Sequence, residues 1–513
     1  MYDKICGYQL DNQQQQIVLD ESNHLLVVAG AGSGKTLTIL GKIHYLLKYQ
    51  QIQPNEILCI SFTRASANSL KEKIYNEFNI NMPVYTFHKL SLEILKNNHE
   101  EYDIAASDTL DNVIHQFFSI DILDYPVIIK NVLKYYHYSG FNTTKEKYLC
   151  FYKNNYAEIE ILEKLISTFL HLFKCNNYSL KDFYVFLQSK NKQIFKFRYK
   201  RDKIFLSLAI NIYLMYQDYL KENKEIDFDD MIIYATECVN QKGIIEQYKY
   251  IIIDEYQDTS YIRFLLIKSI LDRTNAKLMV VGDDFQSIYR FTGCDISIFI
   301  DFKKYFNDAK ILKIENTYRN SMELISIAST FIMRNKYQIS KRLNARNHLK
   351  YPVKIIFYKN IKATFLKLVL YVYDNSHKPI LILGRNNNDI FMVIDENFKL
   401  EQNGRIIYRY NKQIEIYYLT VHKSKGLEEE NVIIINLEDK KLGFPNQMKD
   451  SRILNLVNGN KENYPYGEER RLFYVALTRT KNYVYLLASL IKPSIFVKEL
   501  LKYNKQEIEI IKM

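Results

Sequence analysis

The sequence predicts an α/β protein with two cores of parallel strands flanked by helices, a helical insertion in the first core, and a reduced or absent insertion in the second. Two observations carry this. Short β-branched runs bounded by turn residues recur at Leu25–Ala29, Ile57–Phe62, Tyr250–Ile253, Leu278–Val281, Ile380–Leu383 and Val432–Ile435. Such continuous apolar runs fit strands buried on both faces of a parallel sheet, and their two groups, before Ile300 and after Lys310, fit two cores. From about residue 96 to 204 no such run occurs. There Ile159, Leu162, Ile166, Phe169, Leu170 and Phe173 recur at a spacing that lines one face of a helix. The expected division is therefore 1–95 with 205–300 as the first core, 96–204 as the insertion, and 301–513 as the second core. Only a short segment, about 385–415, stands where a second insertion could sit.

The first element, Leu25–Val28, leads into Ala29-Gly30-Ala31-Gly32-Ser33-Gly34-Lys35-Thr36. Three of the 15 glycines fall within five residues here, so the loop is free to curl its N–H groups inward onto phosphate oxygens, with a helix N-terminus behind them. At this spacing Lys35 reaches β- and γ-phosphates and the Thr36 hydroxyl suits Mg²⁺. Further along, Ile251-Ile252-Ile253 ends in Asp254-Glu255. A strand ending in two carboxylates places both at the sheet's C-terminal edge, where ligands bind. Asp254 is the candidate Mg²⁺ ligand and Glu255 the candidate for polarising an attacking water. Together the two elements predict a nucleotide hydrolase that uses Mg²⁺.

Five further blocks follow in order: IIDEYQDTS (252–260), VGDDFQSIYRFTG (281–293), NTYRN (316–320), TVHKSKGLE (420–428) and EERRLFYVALTR (468–479). With the phosphate loop, they resemble the UvrD/Rep group of superfamily 1 helicases over nearly the whole chain except the helical insertion. The resemblance implies two RecA-like cores and an ATP-dependent DNA translocase and helicase running 3′ to 5′. It also implies roles for particular residues. Gln14 would read the adenine edge, Tyr318 would stack on adenine, and Glu428 would contact ribose or couple the sites. Gln286 would sense the γ-phosphate, and Arg319 and Arg479 would reach it from the second core. Charge spreading over the γ-phosphoryl group would then be stabilised only on closure. The expected DNA grip comprises Phe62-Thr63-Arg64, Thr86-Phe87-His88, Tyr289, Phe291 and His422, since aromatic stacking with phosphate contacts binds single strands without regard to sequence.

Departures from the family pattern are visible. Leu37 stands where several relatives carry an arginine against adenine, Arg64-Ala65 where many carry Asn-Lys, and Phe291 where many carry Trp. Lys190–Arg201 interleaves basic and aromatic residues; it suits either a duplex ahead of the motor or a solvated helix face.

Composition sets the outer bounds. The net charge of +12 suits a polyanionic partner, here single-stranded and forked DNA, but the Ile, Lys, Asn and Tyr richness of AT-biased coding yields a similar balance. Cys6, Cys59, Cys150, Cys175, Cys238 and Cys294 form no C-x-x-C pair, which argues against zinc and against a disulfide framework. No apolar run is long enough to span a bilayer, and the N-terminus has no signal-peptide pattern, so the expected location is cytoplasmic. Two rival readings stay open: an ATPase that displaces proteins from nucleic acid, and the motor subunit of a nuclease or phage-defence complex with a protein partner.

Overall fold

The computed structural model describes residues 4–138, 145–188, 196–458, 462 and 464–513, with side chains left undescribed at 196–199. Two sheets organise the chain. The first has six parallel strands in the order Val84–Tyr85, Ile57–Ile60, Tyr250–Ile253, Lys277–Gly282, His24–Ala29 and Lys310–Ile314. Successive side chains of a strand point to opposite faces. Accordingly Leu26 and Val28 enter one apolar cluster with Ile251, Ile253, Leu278 and Val280, while Leu25, Val27 and Ala29 enter another with Ile252, Met279 and Val281. Both faces are covered by helices, as the unbroken apolar runs require.

The second sheet has eight strands in the order Phe398–Leu400, Arg405–Tyr408, Ile416–Thr420, Ile380–Gly384, Glu429–Leu437, Thr480–Ser489, Val353–Tyr358 and Ile508–Ile511. All are parallel except the hairpin of the first two, which pairs antiparallel on the edge. That hairpin lies within 385–415. Ile433 and Ile435 face one cluster and Val432 and Ile434 the other.

The expected boundary at 300 falls short of the first core, whose sheet continues to Lys310–Ile314 beside His24–Ala29. This is an edge strand, partly exposed and lysine-bearing, so it lacks the apolar signature of its neighbours. The insertion also runs past 204. Helices Thr109–Ser119, Pro126–Tyr135, Tyr156–Cys175 and Lys196–Glu222 share a separate core, in which Phe205, Leu208, Ala209 and Ile212 carry the apolar face onward. A two-strand ladder, Asp103–Ile104 against Glu225–Ile226, forms the neck of the insertion. Lys174, buried beside the neck, pairs with Asp227 at 2.5 Å and Asp230 at 2.7 Å. Ile453, Leu454 and Val457 of the second core pack into the insertion's cluster.

Among the described residues no helix is long and apolar enough to cross a membrane. Cys175, buried where the insertion meets the first core, stands with His171 and Asp229. These three are bonded to one another, His171 Nδ1 to Asp229 Oδ2 at 2.8 Å and Cys175 Sγ to Asp229 Oδ1 at 3.4 Å.

Candidate functional site

The phosphate loop joins strand His24–Ala29 to helix Lys35–Lys48. Gly32 and Gly34 take left-handed backbone at φ 67° and 79°, a region that glycine enters without steric cost. At Gly32 space is limiting as well: a Cβ there would lie 2.5 Å from Arg319 Cβ. Bonds from other segments hold the loop. Thr317 donates its hydroxyl to Ala31 O at 2.7 Å, Tyr318 N–H donates to Gly32 O at 2.9 Å, and Gln14 Nε2 donates to Ser33 O at 3.2 Å. Thr36 sits half-buried in the first helical turn.

Lys35 Nζ lies 2.5 Å from Glu255 Oε1, so the loop lysine and the strand-end acids share one site. Glu255 itself holds a left-handed φ of 53°, an uncommon conformation for a residue with a side chain. Burial and the neighbouring Glu255 charge raise the Asp254 carboxyl to about 6. Burial acts in the same sense on Glu255, yet the charges of Lys35 and Lys425 outweigh it and hold that carboxyl at about 2. A hydroxyl and a buried, charge-hungry carboxylate are hard oxygen donors of the kind Mg²⁺ takes.

From the second core, Arg479 Nη2 reaches within 3.4 Å of Gln286 Oε1, while its Nε and Nη1 donate to Val475 O and Leu427 O. Burial and the nearby Arg319 lower its guanidinium to about 10, which leaves it charged at neutral pH. Arg319 Nε pairs with Glu428 Oε2 at 2.5 Å, so these two expected residues meet. The Tyr318 ring is 46% exposed and its hydroxyl donates to Asp11 Oδ2 at 2.8 Å. Asp11 also caps the helix carrying Gln14, which is buried. Contacts thus tie the expected nucleotide residues to the phosphate loop or to one another.

Sequence reasoning passed over several residues here. Lys425 bonds the Asp258 carboxylate, donates to Gln286 O at 2.8 Å and lies 3.9 Å from Glu255. Its only signal was its place inside the 420–428 block. Asp283 accepts from Gln286 Nε2 at 2.6 Å, and Gln257 Nε2 donates to Glu255 Oε2 at 2.5 Å. Arg263 lies over Phe62 at 4.9 Å.

The expected DNA residues divide into two sets. Phe62, Tyr289, Phe291 and His422 form an aromatic row: Phe62 stacks on Tyr289 at 5.8 Å and 14°, and Phe291 meets His422 edge-on at 5.5 Å. Phe291 is 57% exposed, and Arg64 is exposed too. Phe87 departs from expectation. It is 4% exposed and packs in the first core with Leu90 and Ile94, so neither face of its ring is open to a base. Thr63 and Thr86 cap helices Arg64–Phe78 and Phe87–Asn97. Burial, with Arg263 near His88 and Arg385 and Lys425 near His422, lowers both imidazoles to about 4. Both rings are therefore uncharged at neutral pH in the chain without DNA. Of the basic stretch Lys190–Arg201, residues 190–195 lie outside the described residues, and Arg201 stacks on Tyr135 at 4.3 Å.

A phosphate loop facing acids at a strand end, with arginines from a second parallel core, defines a two-core nucleoside-triphosphate-driven motor. The profile of the UvrD/REP helicase N-terminal domain matches residues 10–307, and the chain belongs to that family, which makes it an ATP-dependent DNA helicase by kind. It is 27% identical over 503 residues to DNA helicase IV of Escherichia coli, covering 96% of this chain and 70% of the relative. Against the probable DNA helicase II homolog of Mycoplasma capricolum it is 30% identical over 391 residues, 74% of this chain and 49% of the relative. The ATP-dependent DNA helicase Rep of Buchnera aphidicola is 28% identical over 457 residues, covering 85% and 64%. The chain thus spans between half and seven-tenths of these relatives' lengths.

Proposed function

We propose that the chain translocates 3′ to 5′ on single-stranded DNA and unwinds forked duplexes, driven by closure of its two cores around ATP. The observation that carries this reading is Arg479 of the second core facing Gln286 of the first, within a site that also holds Lys35 and Glu255. In the proposed cycle the loop N–H groups and Lys35 hold the phosphates, and Gln14 and Tyr318 hold the base. Thr36 and Asp254 would hold Mg²⁺, which when bound neutralises charge on the phosphate oxygens. Glu255 orients the attacking water and accepts its proton. Arg319 and Arg479 stabilise charge that spreads over the γ-phosphoryl oxygens, and they can do so only while the cores are closed. Opening after hydrolysis moves the first-core rings Phe62, Tyr289 and Phe291 relative to the second core's grip at His422.

The test is hydrolysis with and without single-stranded DNA, alongside unwinding of forked duplexes carrying one loading tail. Strong stimulation by DNA and unwinding from a 3′ tail is the expected result. Stimulation without unwinding would turn the reading toward displacement of bound proteins, and unwinding only from a 5′ tail would overturn the polarity.

A further inference from the structure

Lys341 lies on the segment between helix Met322–Ile332 and the two-residue strand Asn344–Ala345, which pairs with Asn316–Thr317. Its side chain is 0% exposed, and Nζ lies 2.5 Å from Asp283 Oδ1 and 2.7 Å from Asp284 Oδ1, both equally enclosed. The ammonium also sits 3.6 Å from the centre of the Phe285 ring. Burying one cation with two adjacent carboxylates carries a large desolvation cost, and apolar packing of similar volume often holds a fold as well. The arrangement therefore calls for an explanation beyond stability.

The bonds of Asp283 supply one. Its Oδ2 accepts from Gln286 Nε2 at 2.6 Å, which turns the Gln286 carbonyl oxygen toward Arg479 Nη2. The Asp283 N–H donates to Gln257 Oε1 at 2.9 Å, and Gln257 Nε2 in turn holds Glu255 Oε2. Asp283 thus stands between the acid at the phosphate site and the residue facing the second-core arginine, and Lys341 grips its remaining oxygen. The same segment runs behind the phosphate loop: a Cβ on Gly30 would meet Leu343 Cδ2 at 2.6 Å. Ile339 N–H holds the second oxygen of Asp284 at 2.8 Å.

We infer that Lys341 is a positioning residue for ATP hydrolysis, fixing Asp283 so that Gln286 meets Arg479 and Gln257 holds Glu255. The inference rests on the proposed roles of Gln286 and Arg479 in hydrolysis. It separates two jobs that one lysine performs, neutralising the acid pair and orienting Asp283, and the experiment takes them apart.

Lys341→Met paired with Asp284→Asn keeps the net charge of the cluster while removing the grip on Asp283. The expected double variant melts near the parent but loses DNA-stimulated kcat on the order of 10- to 100-fold, the scale of small misplacements in a site. KM for ATP should stay within about twofold, since ground-state binding is untouched. Asp284→Asn alone, which retains the Lys341–Asp283 bond, should keep most of the parental kcat. A double variant with parental melting and parental kcat would overturn the inference and leave Lys341 a neutralising residue only. If the double variant does not accumulate as folded protein, Lys341→Arg decides instead. It keeps the charge but cannot fit the enclosed site without shifting Asp283, so turnover should fall several-fold at unchanged KM; full turnover would overturn the positioning role. A parent with no DNA-stimulated hydrolysis would instead sink the helicase reading itself, so the two failures are distinguishable.

Discussion

Arg479 and Gln286 meet across the two cores, with Nη2 3.4 Å from Oε1, while the other guanidinium nitrogens are anchored on the carbonyls of Val475 and Leu427. The arginine is thus aimed by its own core and presented to the other. Arg319 is held differently, by the carboxylate of Glu428 near the surface. Alanine at either position should lower turnover by roughly 10³-fold or more, the scale of arginine-finger losses. Nucleotide affinity should fall much less, because these groups act chiefly on the transition state. Fluorescent ADP binding measured beside steady-state hydrolysis checks this. Arg319→Ala is the cleaner test, since truncating buried Arg479 also strips the Val475 and Leu427 carbonyls of a donor. Near-parental turnover in Arg319→Ala would remove it from the mechanism.

Lys35→Ala should abolish hydrolysis while leaving the melting temperature close to the parent's. The lysine only opens its helix, at the end of the phosphate loop, and Lys425, 3.9 Å from Glu255, remains to oppose that buried charge. Residual DNA-stimulated hydrolysis above about a hundredth of the parental rate would argue that the loop does not handle the phosphates as assigned.

Phe291 provides a test of coupling. At 57% exposure its truncation leaves no core cavity, so stability should change by less than about 0.5 kcal/mol. If the ring stacks on a base, its loss removes about 1–3 kcal/mol of binding. Phe291→Ala should therefore hydrolyse ATP at saturating single-stranded DNA but translocate and unwind poorly. Stopped-flow translocation, hydrolysis and melting on one preparation decide it, and matched losses in all three would dismiss the stacking role.

The neutral imidazole of His422 gives a pH signature. Its folded value, about 4, lies below the ordinary histidine value. Below about pH 6.5 the unfolded chain therefore binds a proton that the folded chain does not, and stability is lost as pH falls from there toward 4. Asp254 and Asp258, both raised to about 6, act in the opposite sense over the lower part of that window. The difference between parent and His422→Asn isolates the histidine. The variant should lose less stability between pH 7 and 5 than the parent does, and parallel melting curves across that range would contradict the lowered value.

Much of this architecture was legible because its signals are local. The phosphate loop, the acids after Ile253 and the six apolar strand runs each announce themselves within ten residues, and all of those runs are strands. The edge strand Lys310–Ile314 was not legible, since half-exposed positions carry lysine rather than an apolar run. Lys341, Lys425 and Arg263 escaped for another reason. Each acts by meeting carboxylates or rings on remote segments, and nothing in its immediate neighbours records that meeting. Phe87 misled because a helix's first turn can point a ring inward as readily as outward.

The covalent link between the cores leaves the first sheet at Ile314 and within five residues passes over the phosphate loop, where Tyr318 N–H bonds Gly32 O and Arg319 presses on the same glycine. In the proposed cycle this link would be both the hinge and one wall of the nucleotide pocket. Opposing force on the DNA, transmitted through the second core, would then bear directly on the grip around the nucleotide, so mechanical load and the residence time of ADP would be two readings of a single displacement.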